Sequence, residues 1–139
     1  MAITTTMCTS FKKEILEAEH DFTADTFKIA LYDDTATLGS ATTAYSTSDE
    51  VSGTAYTAGG ATLTRVAPTT SNGVAFVDFN DVTFANSTIT ARGALIYNSS
   101  KSNKAVACYD FGANQSSSNS TFTIEFPTAA SGTAIVRIE

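Results

Sequence analysis

The feature that most constrains this fold is a period-two alternation of apolar residues that starts at Phe27. In the segment Phe27–Tyr32, the side chains of Phe27, Ile29 and Leu31 fall on one face of an extended chain. Side chains of a β-strand point to opposite faces in turn, so this pattern predicts half-buried strands. The chain also contains 24 threonines and 15 serines. Because β-branched threonine suits a pleated surface, this composition favours sheet over helix.

The alternation predicts seven or eight short strands separated by polar turns. Ser71-Asn72-Gly73 predicts a tight hairpin turn, and a bulge or turn at Asn80-Asp81 would keep Val77 and Phe79 in the core together with Val82 and Phe84. A second hairpin is predicted between Ser87–Tyr97 and Ala105–Phe111. The other strands are expected at Phe27–Tyr32, Ala61–Val66, Val74–Phe79, Thr121–Phe126 and Ala134–Ile138, with polar loops at 98–104 and 114–120.

One helical segment precedes the strands. Ser10 is expected to cap a helix that continues to His20, with Phe11, Ile15 and Leu16 on a narrow apolar stripe. About ten helical residues are marginal in isolation, so the helix is expected to dock on the sheet or on a neighbouring subunit. The length of 139 residues suits one core. We therefore predict a single domain over residues 1–139, with residues 1–22 as an N-terminal arm and helix.

These elements predict a mainly β fold: an antiparallel β-sandwich, jelly-roll or immunoglobulin-like, with one short N-terminal helix. The sequence does not distinguish the two topologies. Residues 33–60 are rich in Thr, Ser, Ala and Gly and lack a strand pattern. A loop of this length is usually functional or ordered by a partner. Within it, Gly59-Gly60 is expected to allow a turn or a close approach of two backbones.

Charge and composition narrow the function classes. A net charge of −6 and a pI of about 4.6 leave no basic field for nucleic acid. The scattered Lys and Arg residues do not favour a membrane surface, and no apolar run reaches the ~18 residues of a membrane span. The start of the chain does not resemble a secretory signal, which predicts synthesis in a cytoplasm. Cys8 and Cys108 match no metal or redox spacing and are expected to be reduced, apolar fillers.

No residue pattern in this chain indicates an enzyme. The single histidine, His20, has carboxylates beside it but no nucleophile motif, so a partly exposed surface histidine is expected. The acidic pairs Asp33-Asp34 and Asp78 with Asp81 could ligate calcium, but turn chemistry explains both pairs equally well. We predict no catalytic residues, no bound metal and no cofactor.

Several passages spread over the chain carry a family resemblance: Met1–Cys8 with Ser10–Glu14, Phe27–Tyr32, Glu50–Thr64, Ile89–Asn98, Phe126–Ala129 and Ala134–Ile138. Through them the chain resembles a family of small virion-associated structural proteins of tailed bacteriophages. The resemblance implies a protein that is made in the cytoplasm of the host bacterium and becomes part of the virion. Such families include capsid decoration or cement proteins, head fibres and tail components.

The resemblance implies a decoration or cement protein first. It would bind the major capsid protein or other virion proteins, with no nucleic acid or membrane partner, and would form a homo-oligomer, with a trimer as the first expectation. Residues 1–22 would clamp the capsid lattice. The candidate partner-binding residues are Phe11, Lys12, Lys13, Ile15, Leu16, Tyr45 and Tyr56.

The alternative is a tail or fibre component that recognises the host. Such a module would bind a glycan or a receptor through the polar loops 98–104 and 113–120. Tyr45, Tyr56 or Tyr97 could stack on a sugar ring, although the alternation around Tyr97 favours a core position. A tail-tube or connector accessory protein is a third expectation.

Overall fold

The computed structural model describes residues 2–139 and confirms a mainly β fold with two antiparallel sheets and one short helix, as a β-sandwich requires. The larger sheet has the strand order β1-β7-β6-β2-β3, and the smaller one has the order β4-β5-β8. The elements are β1 (Thr6–Met7), α1 (Thr9–Leu16), β2 (Phe27–Tyr32), β3 (Ala61–Thr62), β4 (Arg65–Ser71), β5 (Val74–Phe79), β6 (Val82–Asn98), β7 (Lys104–Ile124) and β8 (Val136–Ile138).

The strands predicted from the clearest apolar alternation are confirmed by the structure. The strands β2 and β5 have the predicted bounds. The turn between β4 and β5 has positive φ angles at Asn72 and Gly73, 53° and 78°, as a two-residue type I′ turn requires. The change of phase after Phe79 falls at Asn80-Asp81, where the chain passes from β5 of the smaller sheet to β6 of the larger sheet, and Val82 and Phe84 are both buried. The predicted second hairpin is confirmed by the antiparallel pairing of β6 with β7.

The largest error concerns residues 114–120, which are not a loop. They belong to β7, which is 21 residues long and pairs with the 17 residues of β6. Serine is small and polar, so a run of serines shows no apolar alternation that would predict a strand. The backbone of these residues nevertheless pairs with β6, with Ser120 opposite Ser87 and Ser116 opposite Thr90. Two other predicted segments also differ: 61–66 divides into β3 and the start of β4, and the last strand begins at Val136.

The centre of the larger sheet is buried on both faces. Successive residues of β2 from Ile29 to Tyr32 are all buried, although neighbouring side chains point in opposite directions. On one face, Phe27 packs against Phe22 and against Phe79 of the smaller sheet, with ring centroids 4.4 and 5.8 Å apart. These contacts place the main core between the two sheets.

Residues 33–60 cover the opposite face of the larger sheet, where the ring of Tyr45 stacks on Tyr97 and the Gly39 carbonyl faces Cys108. Isolated bridges join Glu50 to Tyr32, Ala44 to Lys104 and Thr54 to Thr88. Gly59 and Gly60 have positive φ angles, and a Cβ at Gly60 would collide with the backbone oxygen of Ile29. The close approach predicted for this glycine pair is therefore confirmed. The long segment is held by contacts within the chain.

The N-terminal arm is built into the domain. Ile3, Cys8 and Phe11 are buried, and β1 forms one edge of the larger sheet by pairing with β7 at Cys108 and Ala107. Ser10 is not the N-cap as predicted: Cys8 occupies that position, and the Ser10 hydroxyl is buried without a hydrogen-bond partner among the described residues. The helix also ends at Leu16 rather than His20, and Ala18 has a φ of 60° that helical geometry does not allow.

Candidate functional site

The outer side of α1 presents an apolar and basic surface. Phe11 is 1% exposed, whereas Leu16 is 89% exposed and lies near the exposed Lys12 and Lys13. We call Lys12, Lys13 and Leu16 the helix surface. Phe11 packs against His20 and Phe22, with ring centroids 4.8 and 6.0 Å apart. The structure therefore corrects the expectation that Phe11 contacts a partner, because its side chain holds the helix to the core.

The helix surface is fixed by contacts on both sides of α1. Ile15 is half-buried and packs against the core, so it offers a partner only its outer edge. Lys104 of β7 lies 3.1 Å from Glu19 and 3.9 Å from Glu14, which ties the helix and the residues after it to the sheet. Lys13 forms an exposed pair with Glu17 at 2.7 Å. Exposed pairs of this kind contribute little stability, so Lys13 can exchange this partner for another at small cost.

Tyr45 and Tyr56 converge on one carboxylate. The hydroxyl of Tyr45 donates to Oε2 of Glu50, and that of Tyr56 donates to Oε1, each at 2.7 Å. The backbone N–H of Gly59 donates to Oε1 at 2.7 Å as well. Tyr56 also accepts a hydrogen bond from the backbone of Leu31 at 2.8 Å. The two tyrosines thus join residues 45–59 to β2.

Burial strengthens the preference of these two tyrosines for the protonated form, which they already hold near neutral pH. Desolvation first, and then the hydrogen bond to the Glu50 carboxylate, raises the pKa of Tyr45 and of Tyr56 above the ordinary value of 10.0. Both hydroxyls therefore remain protonated donors to Glu50 near neutral pH. The ring of Tyr45 stacks on Tyr97 at 4.6 Å and 17°, and Tyr97 is buried as its alternation predicted. The three rings are therefore engaged inside the chain, which leaves half-buried Tyr45 and Tyr56 only partial faces for a ligand.

His20 is not on the surface, contrary to the sequence-based expectation. Its side chain is 0% exposed. Its Nε2 lies 3.0 Å from Glu14 Oε1, and its Nδ1 lies 3.0 Å from the amide nitrogen of Asn98. The Asn98 amide also donates to Asp25 at 2.8 Å. Since an amide nitrogen only donates, Nδ1 accepts and Nε2–H donates to Glu14. This network joins α1 to the end of β6.

The acidic pairs behave as turn and core residues. Asp33 Oδ1 accepts from the backbone of Thr35 at 2.8 Å, and Asp81 Oδ1 accepts from that of Phe126 at 2.7 Å. Asp78 is 0% exposed and accepts from the backbone of Phe79 at 2.8 Å, while its Oδ2 has no hydrogen-bond partner among residues 2–139. Over the same residues, no group of three or more His, Cys, Asp or Glu side chains could hold a metal ion.

Of the two polar loops expected to recognise a host, the structure confirms only the first as a turn. Segment 98–104 is a turn whose serines bond residue 26: Ser99 N–H donates to the Thr26 carbonyl at 2.9 Å, and Thr26 N–H donates to Ser100 Oγ at 2.8 Å. Segment 113–120 is strand. A groove of about 970 Å³ lies elsewhere, between residues 2–6 and 35–49. Its lining is largely hydroxyl-bearing and includes Thr4, Thr6, Thr35, Thr42 and Ser46.

Sequence reasoning missed Glu50, Asn98 and the proximity of the two cysteines. The carboxylate of Glu50 has no alternation or motif to mark it, and only the nearby tyrosines at 45 and 56 offered a signal. No helix of the described residues is both long and apolar enough to cross a membrane. Comparisons with protein-family models, with curated proteins and with solved structures found no match.

Proposed function

We propose that this protein is a structural component of a tailed-bacteriophage virion, and that it decorates or cements the capsid by binding the major capsid protein. The single observation that supports this function best is the helix surface. Leu16 is 89% exposed at the end of a helix that Phe11 anchors in the core. Burying a leucine side chain stabilises a contact by about 1.5–3 kcal/mol. An exposed leucine on a fixed helix is therefore suited to an interface.

Charge supports the same surface. The chain carries a net charge of −6, yet Lys12 and Lys13 are adjacent and exposed beside Leu16. An acidic residue of the capsid would be attracted to Lys12, and to Lys13 when Lys13 exchanges its exposed partner Glu17, while the remaining acidic surface would keep free copies apart in solution. The protein would be made in the cytoplasm of the host bacterium and act in the virion as a homo-oligomer, with a trimer at capsid threefold positions as the proposed arrangement.

A tail or fibre protein that recognises the host is the second candidate. The groove between residues 2–6 and 35–49 supports it, because its many hydroxyl groups could bond a glycan. The buried ring of Tyr97 and the internal bonds of Tyr45 and Tyr56 weaken the stacking part of this hypothesis. Under this alternative the partner would contact the groove rather than the helix surface.

Imaging of intact particles separates the two candidates. Gold-labelled antibodies against this protein should cover the head densely if it decorates the capsid. A stained gel should then show hundreds of copies per particle relative to the major capsid protein. Label confined to the tail or its tip, with at most a few dozen copies, would refute decoration and favour the host-recognition candidate.

A variant pair tests the helix surface directly. Leu16→Asp should weaken binding to particles that lack the protein by about tenfold or more, because it places a charge at the proposed contact. Ile138→Asp is the matched control, since Ile138 is the other large apolar residue that is exposed among the described residues, at 58%. The control should bind like the unmodified chain. Equal binding by all three proteins would contradict the assignment of the helix surface.

A further inference from the structure

The fold brings the two cysteines together although they are 100 positions apart. The Sγ atoms of Cys8 and Cys108 lie 3.8 Å from each other, and both residues are 0% exposed. Both thiols also face the carbonyl oxygen of Gly39, at 3.9 Å from Cys8 and 3.6 Å from Cys108. The pair therefore occupies one small site between the N-terminal arm, β7 and the segment that follows β2.

We propose that Cys8 and Cys108 form an intramolecular disulfide bond when the protein meets a small-molecule disulfide such as oxidised glutathione, and that this bond staples the N-terminal arm to β7. The sulfur atoms need to approach by only about 2 Å to reach bonding distance. Cys8 lies at the end of the two-residue strand β1 and at the N-cap of α1. Its backbone is thus at a junction between elements, where a small shift disturbs little of the sheet.

The arm is also the element that can open to admit the oxidant. It is held to β7 by two paired residues, Thr6 and Met7, and by two further hydrogen bonds: from the Cys8 backbone to Val106 and from the Asp110 backbone to the Thr5 hydroxyl, each at 2.9 Å. Backbone hydrogen bonds also join the arm to residues 38–40. Short terminal strands open more readily than the core of a domain. When the arm detaches, both thiols become accessible, and when it closes again the sulfur atoms return to contact.

The chemistry is a pair of thiol–disulfide exchanges. One cysteine, as its thiolate, attacks a sulfur of oxidised glutathione, and the glutathione S–S bond breaks to release one glutathione. The second cysteine then attacks the resulting mixed disulfide, forms the Sγ–Sγ bond and releases the second glutathione. The two cysteines lose two electrons, oxidised glutathione gains them, and the two cysteine protons end on the two released thiols.

The test exposes the folded full-length chain to excess oxidised glutathione, blocks residual thiols with N-ethylmaleimide and maps the peptides by mass spectrometry. The expected product is one linked peptide pair that contains Cys8 and Cys108, with the loss of two hydrogen atoms from the intact chain. The closed loop is long, so the melting temperature should rise by about 10 °C and fall back with dithiothreitol. Mixed glutathione adducts alone, cross-links between chains, or two thiols that stay free would each overturn the proposal.

Two comparisons show whether the folded site directs the reaction. Cys8→Ala and Cys108→Ala each retain one thiol and should show neither the cross-link nor the rise in melting temperature. The unmodified chain in urea, where the fold no longer holds the thiols together, should give at least about tenfold less cross-link relative to mixed disulfide. If the ratio of cross-link to mixed disulfide is the same with and without urea, the folded geometry has no role in the reaction. This comparison uses the unmodified chain, so it holds even if the alanine variants fail to fold.

Discussion

The two sheets of this protein are buried in different ways. The centre of the larger sheet is enclosed by the smaller sheet on one face and by residues 33–60 on the other, and its residues Ala94–Tyr97 are all buried. In the smaller sheet, most of β4 is exposed and contains Pro68, a residue that sheets tolerate at their edges. The centre of the larger sheet therefore depends on continuous apolar sequence and close fit, whereas the edge strand of the smaller sheet tolerates polar residues.

The largest expected effect comes from a charge in the larger sheet. Leu95→Asp should abolish cooperative folding, because Leu95 is 0% exposed and an unpaired carboxylate there would lose its hydration. The free energy of unfolding should fall by more than about 4 kcal/mol. Thr70→Asp in the exposed part of β4 is the control and should change it by less than about 0.5 kcal/mol. Urea denaturation measures both, and a Leu95→Asp protein with normal cooperativity would contradict the two-faced burial.

A glycine in β6 of the larger sheet and a glycine in the β4–β5 turn of the smaller sheet provide a smaller contrast. A Cβ at Gly93 would collide with the backbone oxygen of Tyr109 and lie 2.8 Å from Ile3 Cδ1, whereas a Cβ at Gly73 would meet no atom within 4 Å. Gly93→Ala should therefore cost about 2–3 kcal/mol of stability through overpacking. Gly73→Ala should cost about 1 kcal/mol, because its φ of 78° disfavours a side chain. Thermal unfolding tests the order, and a larger effect at Gly73 would reverse the comparison.

A further modest effect is expected at Asp78, a buried carboxyl in the smaller sheet. Burial raises the pKa of Asp78 above its ordinary value of 3.8. The folded chain therefore holds this proton more tightly than the unfolded chain, and the contribution of Asp78 to stability falls as pH rises from 3.8 through the raised pKa. An asparagine at this position does not ionise, so Asp78→Asn does not lose stability as the pH rises. This variant should be about 1–2 kcal/mol more stable than the unmodified chain near pH 7.

Urea denaturation at several pH values tests the sign of this effect. The advantage of Asp78→Asn should shrink as the pH is lowered toward 3.8, where both proteins carry a neutral group at this position. Asp34→Asn, at an exposed position, is the control and should change stability by less than about 0.5 kcal/mol. If the two proteins differ in free energy of unfolding by the same amount at every pH, titration of Asp78 is not the cause of the difference.

The candidate site was only partly predictable. The sequence indicated an N-terminal helix with an apolar stripe, and Lys12, Lys13 and Leu16 lie on its exposed side as an interface would need. It did not reveal that Phe11 points into the core, because a short stripe can face a partner or the sheet equally well. Tyr45 and Tyr56 were noticed as aromatic residues in a long polar segment, but their shared bonds to Glu50 depend on how that segment folds back over β2.

The sequence by itself determined the β class, the bounds of β2 and β5 and the Asn72-Gly73 turn, because alternation and backbone preference act over a few neighbouring residues. Only the tertiary structure decided that residues 114–120 extend β7, that residues 33–60 cover the sheet, and that Cys8 meets Cys108. These features depend on backbone pairing and on contacts between residues far apart in the chain. Local side-chain pattern carries no information about either.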